Sequence, residues 1–96
     1  MKAYLVLDFA IRDVAGFMPY VAAIPAFIDR HGGRYLVRGE TPTPVEGDWA
    51  PERLVVLEFP SRAAAQAFLD DPEAQPLFAL RHAATDGRLV LADGCD

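Results

Sequence analysis

Apolar residues crowd the stretch Lys2–Phe9, interrupted inside the run only by Asp8. A short run this dense predicts a buried strand. Asp13 then offers a side-chain oxygen to the free N–H groups of a helix start. From Val14 to Arg30 the apolar positions are Phe17, Tyr20, Val21, Ile24, Phe27 and Ile28, which fall on one face of a helix. Pro19 and Pro25 each remove a backbone donor, so the helix is expected to be bent or loosened near Pro25 yet to remain one element. Gly32 or Gly33 is expected to cap its C-terminus, because glycine takes positive φ without steric cost. Arg34–Arg38 predicts a second strand, with Tyr35 and Val37 on one face and Leu36 on the other. The proline-containing stretch 40–52 reads as a loop or an edge extension. Arg53–Phe59 predicts a third strand, stopped by Pro60, and Ser61 caps the helix that follows. That helix carries Ala64, Ala65, Phe68 and Leu69 on one side. Asp71-Pro72-Glu73 reads as a fresh N-cap with proline at the first helical position, leading into a helical piece with Leu77, Leu80 and Arg81. Arg88–Ala92 is the expected last strand.

The order strand, helix, strand, strand, helix, strand predicts a single α+β domain over residues 1–96 with a ferredoxin-like βαββαβ fold. Right-handed crossovers put the helices on one face of a four-stranded antiparallel sheet. Yet both faces of the strands are apolar. In the first strand Ala3, Leu5, Leu7 and Phe9 oppose Tyr4, Val6 and Asp8, and in the third Leu54, Val56 and Glu58 oppose Val55, Leu57 and Phe59. A sheet with one solvated face alternates apolar with polar. The uncovered face therefore predicts a partner, most simply a second copy in a two-fold homodimer.

Composition narrows the function classes. The chain has 14 acidic residues against 9 lysines and arginines, for a net charge of −5. Its cations are scattered, which disfavours nucleic acid and anionic membrane surfaces as partners. No stretch approaches the ~18 apolar residues of a membrane span. The first residues lack the pattern of a signal peptide. The single Cys95 cannot form an internal disulfide, which fits an expected cytoplasmic location.

Candidate chemistry centres on two misplaced charges. Asp8 and Glu58 each sit late in an apolar strand, where a carboxylate must be paired, solvated or protonated. Arg38, at the end of the neighbouring strand, is their expected partner, and the three together would form either a catalytic group or an ion-pair cluster fixing the strands. Tyr4 and Trp49 are candidate apolar walls of a substrate site, Trp49 being either a lid or a plug that anchors its loop. His31 is a candidate ligand contact, although the end of a helix suits a cationic residue on dipole grounds alone. Arg81 is a further candidate substrate-binding residue. His82 has Asp86 four residues on, but one histidine and one carboxylate do not make a metal site, and neither a metal nor another cofactor is expected. Gly32 and Gly33 lack the spacing of a phosphate-binding loop.

The segments HGGRYLVRG, EGDWAPERLVVLEFPS and DPEAQ, with the later Arg81, resemble the domain of unknown function 1330 family of the dimeric α+β barrel superfamily. The resemblance covers nearly the whole chain. It implies a ferredoxin-like protomer whose sheet faces that of a second copy. Arg38, Glu46, Glu58, Ser61 and Arg81 match the family pattern. Phe68 stands in place of a usual tryptophan, Asp71 of a common serine, Ala74 of a common tyrosine, and Asp8 of a frequent histidine. Relatives across the superfamily include cofactor-free monooxygenases, isomerases, haem enzymes and ligand-sensing domains, so the fold does not select the function. Two readings follow. One is a cofactor-independent enzyme acting on a small anionic or phenolic metabolite in a cleft at the sheet face. In it Arg38 holds an oxyanion and Asp8 or Glu58 moves a proton. The other is a non-catalytic homodimeric module that binds a small ligand or a protein.

Overall fold

The computed structural model describes residues 1–95. Its elements are β1 (Ala3–Ile11), α1 (Val14–Arg30), β2 (Arg34–Glu40), β3 (Arg53–Phe59), α2 (Arg62–Asp70), α3 (Gln75–Ala84) and β4 (Thr85–Asp93). The strands form one antiparallel sheet in the order β2-β3-β1-β4. This is the ferredoxin-like arrangement that the element order predicts.

Alternation along β1 sorts the two sheet faces. Ala3, Leu5, Leu7 and Phe9 are buried under the helices, whereas Tyr4, Val6 and Asp8 are only partly covered on the other face. The buried side packs Leu5 and Phe59 with Ile24 and Ile28 of α1 and with Phe68 and Phe78 of α2 and α3. Phe68 stands between Phe59 and Phe78, with ring centroids 5.4 Å away on each side. Each such buried side chain contributes about 1.5–3 kcal/mol of transfer free energy. The opposite face carries Val6, Leu54 and Val56, and Val90 on it is 59% exposed. No helix among the described residues is long and apolar enough to cross a membrane.

α1 runs unbroken through Pro19 and Pro25. Its end is closed by the glycine pair: Gly33 N–H donates to Ile28 C=O at 2.9 Å and Gly32 N–H to Asp29 C=O at 3.0 Å. Gly32 takes φ +78°, so this is a Schellman closure with glycine in the left-handed position.

Three local expectations are corrected. First, β4 starts at Thr85, because β1 extends to Ile11 and pairs with it; Gly87 lies opposite Phe9. Second, Asp71 does not start α3. It ends α2, its Oδ1 accepts from Glu73 N–H at 3.0 Å, and its carbonyl accepts from Ala74 N–H at 3.1 Å. This is an Asx turn, which competes locally with helix initiation; α3 begins at Gln75 with Pro76 in its first turn. Third, β2 does not alternate regularly. Its register against β3 shifts between Tyr35 and Val37, so Tyr35 lies opposite Leu57, Val37 opposite Val56 and Arg38 opposite Val55. Leu57 and Val55 share the helix-covered face, so the bulge brings Arg38 to the same side as Tyr35.

Candidate functional site

Nine cationic side chains are distributed over the chain. Six of them form ion pairs: Lys2 and Arg34 with Glu58, Arg12 with Asp86, Arg30 with Asp71 and Glu73, Arg62 with Asp93, and Arg88 with Asp8. Arg38, Arg53 and Arg81 have no carboxylate within ion-pair distance among the described residues. These same three line a cavity between α1 and the helix-covered face of the sheet.

The cavity has a volume of about 370 Å³, within the range of small-molecule sites. Its floor follows from strand register. Arg38 of β2, Val55 of β3, Leu7 of β1 and Leu89 of β4 stand in one row across the sheet. α1 supplies the roof through Phe17, Val21 and Ile24, and no aspartate, glutamate, histidine or cysteine is among the lining residues.

Arg81 projects from α3 and is only 8% exposed. Its Nη1 donates to Tyr20 Oη at 3.5 Å, and its Nη2 lies 3.2 Å from His82 Nε2. Neither partner is a carboxylate, so the guanidinium is hydrogen-bonded but has no ion-pair partner among the described residues. At the other end the Arg38 guanidinium lies 4.3 Å from the centroid of the Tyr35 ring, a cation–π contact. Burial pushes the Tyr35 phenol above its ordinary value, while Arg38 pulls it partly back. Tyr35 therefore keeps its proton at neutral pH and can donate it to a ligand. Arg53 Nη1 donates to the Gly39 carbonyl at 3.3 Å, beside Arg38.

The expected convergence of Asp8, Glu58 and Arg38 does not occur. Arg38 is on the helix-covered face, and the two carboxylates are on the open face. Glu58 lies opposite Tyr4, four residues from Asp8 along β1, which is a separation of about 14 Å. Asp8 accepts from Trp49 Nε1 at 2.7 Å and from Arg88 Nη2 at 3.1 Å, the latter directly across the β1–β4 ladder. Glu58 accepts from Arg34 Nε at 3.1 Å, across the β2–β3 ladder, and lies 3.4 Å from Lys2 Nζ. The hydrogen bond from Arg34 holds the Glu58 carboxyl below its usual range. Trp49, held by Asp8, lies over the open face near Val6 and Val90, away from the cavity. Tyr4 is on that face too.

His31 is also outside the cavity. Its Nε2 lies 2.8 Å from Asp71 Oδ2, and its ring meets Phe68 edge-on at 6.1 Å. It fastens the end of α1 to the α2–α3 turn. Of the candidates from sequence, Arg38 and Arg81 thus share the cavity, while Tyr4, Asp8, His31, Trp49 and Glu58 lie elsewhere. Tyr20, Tyr35 and Arg53 were missed. Tyr20 is indistinguishable by spacing from the core residues of α1, and Arg53 carries no signal until ion pairing shows which cations lack partners. Among the described residues no three His, Cys, Asp or Glu side chains are grouped to hold a metal ion.

The family model of the domain of unknown function DUF1330 matches residues 2–95. No curated protein matches the chain. Among solved structures, the protein of unknown function RPA0582 from Rhodopseudomonas palustris is similar at 19% identity and a TM-score of 0.80, over 99% of this chain and 83% of that one. SnoaB, a cofactor-independent oxygenase from Streptomyces nogalater, is similar at 20% identity and a TM-score of 0.70, over 99% and 94% of the two chains. A dimeric ferredoxin-like protein of unknown function from Jannaschia sp. CCS1 is similar at 14% identity and a TM-score of 0.65, over 98% and 100%. At these identities the likeness shows the fold.

Proposed function

The chain belongs to the DUF1330 family, a domain of unknown function, and from its cavity we propose that it binds a small, largely apolar or aromatic molecule carrying a carboxylate or an ionised phenolic oxygen. The observation that carries this reading is Arg81, a buried guanidinium with no carboxylate partner among the described residues, facing an apolar cavity. Removing a cation from water costs several kcal/mol unless an anion offsets it. A ligand oxyanion would supply that countercharge through paired N–H···O bonds, the interaction for which a guanidinium is shaped.

The chemistry consistent with this site is cofactor-independent, acting on the ionised ligand. The lining side chains bring no carboxylate, imidazole or thiol to abstract a proton, so the protein would act by stabilising an electron-rich anion with Arg81 and orienting it beside Tyr20. The likeness to a cofactor-independent oxygenase supports this reading. The alternative, a binding module without catalysis, is favoured by the same scarcity of acid–base groups. Asp8 and Glu58 are assigned to the sheet face as cross-strand ion pairs. The reading includes a homodimer through that face, supported by its uncovered apolar residues and by dimeric fold neighbours. The cavity lies on the other side of the sheet, under the helices, so in this reading each protomer holds its own site.

Titration calorimetry with 2-naphthoate and 2-naphthol tests the proposal. Binding of 2-naphthoate should weaken about tenfold or more in Arg81→Met, with an unchanged circular dichroism spectrum. Equal affinity in the variant would refute the role of Arg81. Oxygen uptake on adding 2-naphthol under air separates the enzyme from the binding module.

A further inference from the structure

The distribution of unpaired cations says more about the ligand than Arg81 alone. Resting on the proposed anion-binding function, we infer that the ligand carries two acidic groups, one at each end of a flat apolar body. Arg81 would take one and the Arg38–Arg53 pair the other.

The geometry comes from the sheet. The row Arg38, Val55, Leu7, Leu89 crosses all four strands. Three inter-strand steps of about 4.8 Å set its ends about 14 Å apart. Arg38 stands at the β2 end. Arg81 borders the cavity at the β4 end, where Leu7 and Leu89 line both this cavity and a polar recess on the other side of Arg81. Arg53 lies opposite Phe9 and reaches back to Gly39, the residue after Arg38. The two cationic poles are therefore separated by the apolar side chains of Val55 and Leu7, with phenylalanine, valine and isoleucine of α1 above them.

The charge distribution is selective. Fourteen acidic residues are available in the chain, more than enough to pair every cation. Among the described residues six cations have carboxylate partners, and the remaining three meet at one cavity with no acid in its lining. Two cations at one end and one at the other match a dianion better than a monoanion. A neutral ligand would leave the buried charge of Arg81 unanswered, whereas the exposed Arg38 and Arg53 stand at the cavity rim, free to meet a second acidic group. The site would also exclude cations, and the surrounding field of a net −5 protein would leave anion attraction confined to the cavity.

The test compares three rigid probes of one shape: 2-naphthamide, 2-naphthoate and naphthalene-2,6-dicarboxylate, titrated calorimetrically into the full chain. The expected order is weakest for the amide and strongest for the dicarboxylate, with about a tenfold gain from the second carboxylate. In the double variant Arg38→Met/Arg53→Met the gain should vanish, so that mono- and dicarboxylate bind alike. Unfolding midpoints of both proteins check that the variant remains folded, and Arg38→Lys/Arg53→Lys should restore part of the gain. A dicarboxylate that binds no better than 2-naphthoate, or a gain that survives the double variant, overturns the two-ended ligand while leaving Arg81-dependent monoanion binding intact. Failure of both acids to bind overturns this inference together with the function on which it rests.

Discussion

Asp71 shows how one carboxylate can join three elements. It accepts from Arg30 Nη1 at 3.1 Å and lies 2.8 Å from His31 Nε2, while its second oxygen holds the turn before α3. The hydrogen bond with His31 keeps its carboxyl below the ordinary value of 3.8, as the bond from Arg34 keeps Glu58 below 4.5. Unfolded, both groups take up protons near those ordinary values; folded, they resist until lower pH. In that interval the unfolded chain binds more protons, so stability rises with pH and is lost as pH falls through the folded values. Urea midpoints measured on lowering the pH below about 4.5 should therefore decrease. Asp71→Asn with Glu58→Gln should start from a lower midpoint at neutral pH and show a flatter acid slope. An unchanged slope would mean that these pairs do not couple to folding.

At the scale of elements, the closure of α1 and the bulge of β2 decide where the site lies. Gly33 has little room for a side chain: an added Cβ would meet Phe59 Cε1 at 2.6 Å and Ile28 Cγ2 at 3.0 Å. Phe59 is fully buried and cannot withdraw. Gly33→Ala should destabilise the fold by about 1–3 kcal/mol, readable as a fall in Tm of several degrees. Thermal unfolding indistinguishable from wild type would show that the α1–β2 connection yields more easily than its packing indicates. The bulge that follows is equally consequential. Without it, strict alternation would separate Tyr35 from Arg38, and the guanidinium would point to the open face beside the carboxylates.

For the whole molecule, the sheet divides two tasks. Its covered face floors the cavity, and its open face presents apolar residues with nothing of the chain's own helices over them. Val90, 59% exposed on that face, is a suitable probe because a charge there costs the protomer little. Val90→Asp should convert a sedimenting dimer into a monomer while leaving 2-naphthoate affinity unchanged. A wild-type monomer at micromolar concentration would refute the dimer, and loss of ligand binding on dissociation would refute the independence of the two faces.

Much of this was legible in the residues. Short, dense apolar runs in Lys2–Phe9 and Arg53–Phe59, helical spacing from Phe17 to Ile28, and the glycines after His31 determine the strand and helix order, because side-chain patterning and backbone freedom are local properties. The two apolar sheet faces were legible for the same reason. The site was not. Which face Arg38 occupies depends on a one-residue bulge, and a slip of one position moves every later side chain across the sheet. Which cations remain unpaired depends on partners brought from distant positions, such as Arg88 to Asp8 and Arg30 to Asp71. Local patterning thus determined the elements and their order, and only the tertiary structure decided that three arginines, without carboxylate partners among the described residues, share one apolar cavity, since ion pairing is settled by proximity in space and not along the chain.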